Sequence, residues 1–394
     1  MEEIVEIQTK SKSTRLLAVS VGHFMNDFYV AIVPPILFLF ATALSLNMTE
    51  QAVVAAVITC SGSFAQPIVG YIVDERGKPW LLILSVVWIA VLMSISGLVT
   101  NFYLLVFITG LGALASSLYH PLGSALAVSL GNSSRGKSLA IFMTIGGFAA
   151  SVSPIITIPI VQKYGLAKLA YLMIPGFIVA GMMYMAQIQK TEFQHKTVKK
   201  EGEHGKLNFY TLKWLSALVF IATTRIMIAR VLISFGVQLL SLKNIDLKSA
   251  SIVLFLYLLI NSVGTLVGGH ASDKFGYKKT FIISNFVLSL SLVMLVFDTG
   301  ISVVIWFVLI AFSSSSANTS NIVITQELIP QNLNLATGLI MGLAGGIGGL
   351  GIILYGRIAD SQGLIFATTL CLIPAVLASI FTMLLPDRQN NGHS

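Results

Sequence analysis

His23 and Asp27 stand four residues apart in the stretch "GHFMNDFY" (22–29), a spacing that places both on one helix face. Asn26 and Tyr29 flank that face. A carboxylate beside an imidazole can hold and release a proton, since burial and nearby charge tune the acid and His titrates close to neutral pH. His120 lies in "LYHPLGSALA" (118–127), and Arg225 and Arg230 lie in a long apolar segment. The run "SSSSANTSN" (Ser313 to Asn321) contributes Ser316, Asn318 and Thr319. An Arg keeps its proton at any working pH. In a pair of Asp27 with Arg225, Asp27 would therefore titrate. The alternatives are a permanent structural ion pair, or Arg225 as the planar fork that receives an anionic substrate. His23 and His120 could relay protons, bind substrate, or simply hydrogen-bond locally. The serines of this run could line a cavity or join helices. Arg230, five residues beyond Arg225, lies about 140° round the helix and is expected at a helix interface or reaching outward.

The elements that carry these residues follow from composition. The chain has 394 residues, 55% hydrophobic and only 10% charged, against roughly 25% charged in a soluble domain. Apolar runs of about 20 residues recur, each long enough to cross a bilayer. A polytopic helical membrane protein is expected, not a β-barrel of short alternating strands. The net charge of +8 comes from basic residues between the spans, which suits topology and anionic lipid rather than nucleic acid. Cys60 and Cys371 fall inside spans, so neither a disulfide framework nor a metal site is expected. The mixed-charge start (Glu2, Glu3, Glu6, Lys10, Lys12, Arg15) and the length of the first apolar run do not read as a cleavable signal.

Twelve spans are expected at 16–45, 51–73, 80–99, 102–129, 137–160, 166–187, 212–241, 249–271, 279–297, 301–326, 334–358 and 363–385. The polar interruption "QKTEFQHKTVKKEGEHGK" (Gln189 to Lys206) divides them, giving bundles over 1–188 and 212–394 joined by a linker over 189–211. With the N-terminus inside, inner segments hold about 17 Lys and Arg and outer loops about five. Both termini and the linker are then cytoplasmic, and the protein belongs in the cell inner (plasma) membrane. Internal repeats are visible too. Gly70-x-x-x-Asp74-x-x-Gly77 recurs as Gly269-x-x-x-Asp273-x-x-Gly276, a shift of 199 residues. "IGGFA" (145–149) matches "AGGIG" (344–348), and "IPIVQKYG" (158–165) weakly matches "GRIADSQG" (356–363). A glycine-ended turn thus follows spans two, five, eight and eleven. That is a three-span unit used four times, the nested inverted repeat of alternating-access transporters.

Twelve spans with GxxxDxxG turns at the two–three and eight–nine junctions resemble the major facilitator superfamily over nearly the whole chain. "GHFMNDFY", "LYHPLGSALA" and "TQELIPQNLNLATGLIMGLAGGIGGLG" (325–351) resemble its fosmidomycin-resistance branch of drug and metabolite efflux carriers. The chain departs from the family turn at Glu75, which follows Asp74 where a basic residue is usual; Lys274 keeps the pattern in the second copy. In span five, Ser153-Pro154 followed by Ile155, Ile156 and Thr157 replaces the Gly-Pro pattern of many drug–proton antiporters. The resemblance implies a cytoplasmic gate made of Gly70, Asp74, Arg76, Gly77 and Lys78 with Gly269, Asp273, Lys274 and Gly276. Asp74 would accept from free N–H groups at the start of span eleven, and Asp273 from span five.

The intramembrane polar residues fall in spans one, four, seven and ten, the first of each three-span unit. In the resembled fold these line the central cavity. A shift of 198 carries Asp27 onto Arg225, and one of 199 carries His120 onto Thr319. The glycines of span eleven are expected to serve close packing, and Pro34, Pro35, Pro154 and Pro159 to bend helices. The expected function is proton-coupled export (antiport) of a small organic compound by alternating access. Its rivals are an uptake symporter or uniporter for a small polar or anionic metabolite, and a transport-dead receptor. No nucleophile–base set or clustered metal site marks an enzyme. The partners implied are a small-molecule substrate, protons and lipid, with the chain acting as a monomer and no cofactor.

Overall fold

In hydrocarbon, every backbone N–H and C=O must be paired within the chain, and an oily sequence meets that demand with helices. The computed structural model describes residues 2–76, 78–131, 135–191, 208–330, 336 and 338–386, and among them there is no strand. Twelve helical spans cover Lys12–Leu44, Met48–Val69, Trp80–Leu98, Phe102–Leu130, Ile141–Tyr164, Leu166–Met185, Phe209–Leu242, Leu247–Phe275, Tyr277–Phe297, Ser302–Leu328, Gly338–Gln362 and Leu364–Leu384. They form the two six-helix bundles expected of an all-α polytopic membrane protein. Most of the linker lies outside the described residues. Span one begins and span twelve ends on the same face, here the terminal face; the opposite one is the distal face.

Local chemistry sets the ends. Asn101 and Asn208 open spans four and seven, their side chains accepting from Leu104 N at 2.9 Å and Thr211 N at 2.8 Å. Gly276 (φ 92°) and Gly363 (φ 86°) close spans eight and eleven in a backbone region that a side chain would strain.

Several spans are not plain rods, and three of them matter to the site and the seams. Pro34 and Pro35 head a 3-10 turn that separates Glu2–Val30 from Leu37–Leu44, because a proline nitrogen cannot donate to the preceding turn. Span ten is broken at Ala317 into Ser302–Ser316 and Asn318–Leu328. Span eleven opens with a π-helical turn, Gly338–Leu343, before its regular part. Pro154 and Pro159, by contrast, sit inside the unbroken helix Arg135–Tyr164.

The halves meet where span two packs on span eleven and span five on span eight. Glycine makes the first of these seams possible. A Cβ on Gly342 would lie 3.0 Å from Pro67, on Gly345 2.6 Å from Ser63 Oγ, on Gly346 2.1 Å from the Phe64 ring and on Gly349 2.8 Å from Cys60 Sγ. Gly348 and Gly351 face span seven instead, against Thr223 and Met227. On the distal side the segment after Pro34 packs on span seven, and Gln238 donates to Gln51 across the halves at 2.9 Å. Cys60 and Cys371 are both free thiols.

Candidate functional site

Span one delivers His23 and Asp27, and span four delivers His120 against them. His23 Nε2 lies 3.3 Å from Asp27 Oδ2, His120 Nε2 lies 3.4 Å from Asp27 Oδ1, and His23 Nε2 lies 3.2 Å from His120 Nδ1. The three side chains form a closed triangle. His23 is 1% accessible, while His120 and Asp27 retain 31% and 19%, so the triad is reached from the His120–Asp27 side. The His23 ring is stacked on Phe142 at 3.9 Å between centroids, with Tyr119 parallel beyond it. Gly146 leaves the room: a Cβ there would fall 2.3 Å from His23 Cε1 and 2.7 Å from Asp27 Oδ2. Asn26 donates to Asp27 Oδ1 at 2.9 Å and to Ser116 Oγ at 3.1 Å, holding the carboxylate toward span four.

The proton inventory follows from one bond. His23 Nδ1 lies 2.7 Å from the Phe142 carbonyl oxygen, which can only accept, so Nδ1 carries hydrogen. In a neutral His23, Nε2 would then point a lone pair at Asp27 Oδ2. A proton between them removes that repulsion. His120 Nε2–H then donates to Asp27 Oδ1, and His120 Nδ1 accepts from His23. The arrangement suits an imidazolium–carboxylate pair with a neutral His120.

His23, Asp27 and His120 each place a ligand atom within 4.8 Å of the others, near enough to share a cation. The ring orientation argues otherwise. His120 offers one nitrogen to each partner, a hydrogen-bonding arrangement, whereas a His ligates one ion through a single nitrogen.

Arg225 is elsewhere. Its Nη1 donates to Asn285 Oδ1 at 3.0 Å, and its Nη2 donates to the carbonyl of Ser313 at 2.7 Å and to that of Ser314. These carbonyls are freed by the break at Ala317, at the negative end of the first helical piece of span ten. The expected Asp27–Arg225 pair is therefore not formed: among the described residues, Asp27 has only the two histidines as ion-pair partners. Arg230 is partly accessible.

The other candidates divide. Tyr29 is fully buried and donates to the Leu172 carbonyl at 2.6 Å, so it ties span one to the start of span six and does not line open space. Ser316 pairs with Ser284 of span nine at 2.8 Å, inside the second bundle. Asn318 is exposed, and Thr319 faces Gly269 of span eight. In the gate turns, Lys78, Asp273 and Lys274 are exposed, and Asp273 accepts from Tyr277 at 3.1 Å. Gly77 and the side chains of Asp74 and Arg76 lie outside the described residues, with Gly70 known only as a helical position. The side chains at the start of the helix leading into span five and most residues just before span eleven also lie outside the described residues, as do the expected terminal-face latches. Sequence reasoning missed the roles of Phe142, Ser116, Gly146 and Asn285. Only Gly146 had a signal, as part of the repeated "IGGFA".

The family model described as Major Facilitator Superfamily matches residues 19–242 and again 215–393. The chain belongs to the Major Facilitator Superfamily. It is a transporter, not an enzyme. It is 26% identical over 385 residues to the fosmidomycin resistance protein of Escherichia coli K12, covering 95% of this chain and 93% of that one. It is also 26% identical to the uncharacterized MFS-type transporter YfnC of Bacillus subtilis 168, over 395 residues and with the same coverage. Among solved structures, a bacterial homolog of the human lysosomal transporter Spinster, inward-facing and occupied, superposes with a TM-score of 0.74 at 14% identity, covering 94% of this chain and 95% of that one. The inward-open xylose transporter XylE of E. coli superposes with a TM-score of 0.74 at 14% identity, covering 95% and 97%. Superfamily members bind small molecules and cross the membrane many times, as the twelve spans require.

Proposed function

We propose that this major facilitator protein is a proton-coupled exporter of a small organic compound, and that the His23–Asp27–His120 triad carries the coupling proton. The observation that carries this is the bond from His23 Nδ1 to the Phe142 carbonyl at 2.7 Å, which fixes the tautomer and leaves the 3.3 Å contact with Asp27 in need of a proton. Intramembrane ionisable groups are costly and persist where they do work. Proton loading couples to transport if the two conformations bind the proton with different affinity. His23 is anchored to span five and His120 belongs to span four, so relative movement of these helices changes the triad's contacts. Export is favoured over uptake by the similarity to the fosmidomycin resistance protein. The two bundles, over 1–188 and 212–394, rock about the cavity. The chain acts as a monomer in the plasma membrane, with the terminal face cytoplasmic, as the Lys and Arg bias favours.

Asp27→Asn tests the proposal in proteoliposomes, with the fosmidomycin-class phosphonate as the first substrate tried. The expected result is retained substrate counterflow with loss of gradient-driven accumulation. Gradient-driven transport at the wild-type level in this variant would sink the proposal.

A further inference from the structure

The weak echo "GRIADSQG" (356–363) at the end of span eleven is a complete copy of the turn pattern: Gly356-x-x-x-Asp360-x-x-Gly363. We propose that Asp360 is the distal-face latch of the transport cycle, a carboxylate of one bundle that clasps the first turn of span two in the other. Asp360 Oδ1 accepts from Met48 N at 2.7 Å, and Oδ2 accepts from Thr49 N at 2.8 Å and from the Thr49 hydroxyl. The chain separation between these groups is more than 300 residues, so the clasp spans the two bundles.

The start of span two is prepared for this. Asn47 and Glu50 form a reciprocal cap, with Glu50 N donating to Asn47 Oδ1 at 2.8 Å and Asn47 N to Glu50 Oε2 at 3.0 Å. That pair leaves the N–H groups of Met48 and Thr49 without an intrahelical acceptor, and both go to Asp360. Negative charge at a helix start is also favoured by the helix dipole. Gly356 permits the approach, since a Cβ there would lie 2.3 Å from Ala52 Cβ and 2.6 Å from the Met48 carbonyl oxygen. Gly363 then turns the chain away at φ 86°. All three positions of the pattern thus have a physical task in one contact.

The pseudo-symmetric counterpart is missing. The matching place at the end of span five is Gln162 of "IPIVQKYG". Span eight, which would receive the clasp, is capped by its own Asp246, whose Oδ1 accepts from Lys248 N and Ser249 N, both at 3.0 Å. One helix start therefore hands its free donors to the other bundle, while its twin keeps them at home. The latch opens whenever the distal face opens, and it rests on the alternating-access reading above.

The test places spin labels at Tyr103→Cys and Ile301→Cys, exposed positions at the distal starts of spans four and ten, in a Cys60→Ala/Cys371→Ala background. Distance distributions are then compared in lipid nanodiscs. Asp360→Ala is expected to raise the distal-open population roughly three- to tenfold, the range of a lost charge-assisted hydrogen-bond set at an exposed site. Thr49→Val, which removes only the hydroxyl arm, should shift it less, and Asp360→Glu should restore much of the closed population. Unchanged distances in Asp360→Ala, or an equal shift from the control Asp246→Asn, a distal cap that stays within its own bundle, overturns the latch. The proton proposal fails separately, through the transport of Asp27→Asn, because distal opening is read without any gradient.

Discussion

At the scale of single residues, the proposed proton site is a triangle whose corners differ in access. Asp27 and His120 reach open space, and His23 is buried, stacked on Phe142 with Tyr119 alongside. Gly146 makes the triangle possible, since a Cβ there would fall 2.3 Å from His23 Cε1. Gly146→Ala is expected to abolish gradient-driven transport while leaving the protein in the membrane at normal abundance; full coupled transport would show that the ring can move aside. The four-residue spacing of His23 and Asp27 was legible because helix geometry alone brings them together. The partner of Asp27 was not. A repeat shift pairs Asp27 with Arg225 by position in the chain, but the break in span ten claims Arg225 through carbonyls that a sequence does not reveal as free. Arg225→Gln would leave those carbonyls and Asn285 short of a buried charged donor. It should cost about 2–3 kcal/mol of stability, seen as a lower unfolding temperature in detergent.

At the scale of elements, helices were readable wherever an apolar run met a polar stop. Breaks were less so: Pro34 and Pro35 interrupt span one as their chemistry predicts, whereas the helix carrying Pro154 and Pro159 runs through both without a break. The break at Ala317 has no proline or glycine to announce it. On the distal side, Asp298 follows span nine and accepts from Trp306 Nε1 at 2.7 Å and Thr299 N at 2.8 Å. Hydrogen bonds from Ser302, Trp306 and Thr299 hold its carboxyl below the usual carboxylate value. A depressed folded value means stabilisation that is present above the unfolded value and is lost as pH falls through the folded one. The loss therefore falls below roughly pH 4. Thermal unfolding of Asp298→Asn should be lower than wild type at neutral pH, with the difference vanishing in acid; a pH-independent difference would point to packing instead.

At the scale of the whole molecule, the nested repeat read from four glycine-ended turns corresponds to two bundles joined along glycine seams. The copies have diverged in use. One supplies a distal clasp at Asp360, another carries Asp273 at an exposed turn, and the copy after span five has lost its acid. A repeat records descent and position, while contacts record what each copy has come to do, so only the structure separates them. The span two–eleven seam is the tighter constraint on the halves. Gly346→Ala would drive a methyl into the Phe64 ring and is expected to slow transport severalfold with little change in substrate KM, since the seam touches no proposed binding group. A normal turnover rate would show that the seam yields without cost.

The triangle also sets an electrical property of the carrier. With its proton, the His23–Asp27–His120 set has no net charge; without it, the set has one negative charge. In the proposed exchange, each passage of the deprotonated, substrate-loaded site across the bilayer then moves an elementary charge, on which a membrane potential of 100 mV exerts about 2.3 kcal/mol. If the substrate is uncharged, voltage alone should drive its movement, and a current should appear even when the two sides are held at equal pH.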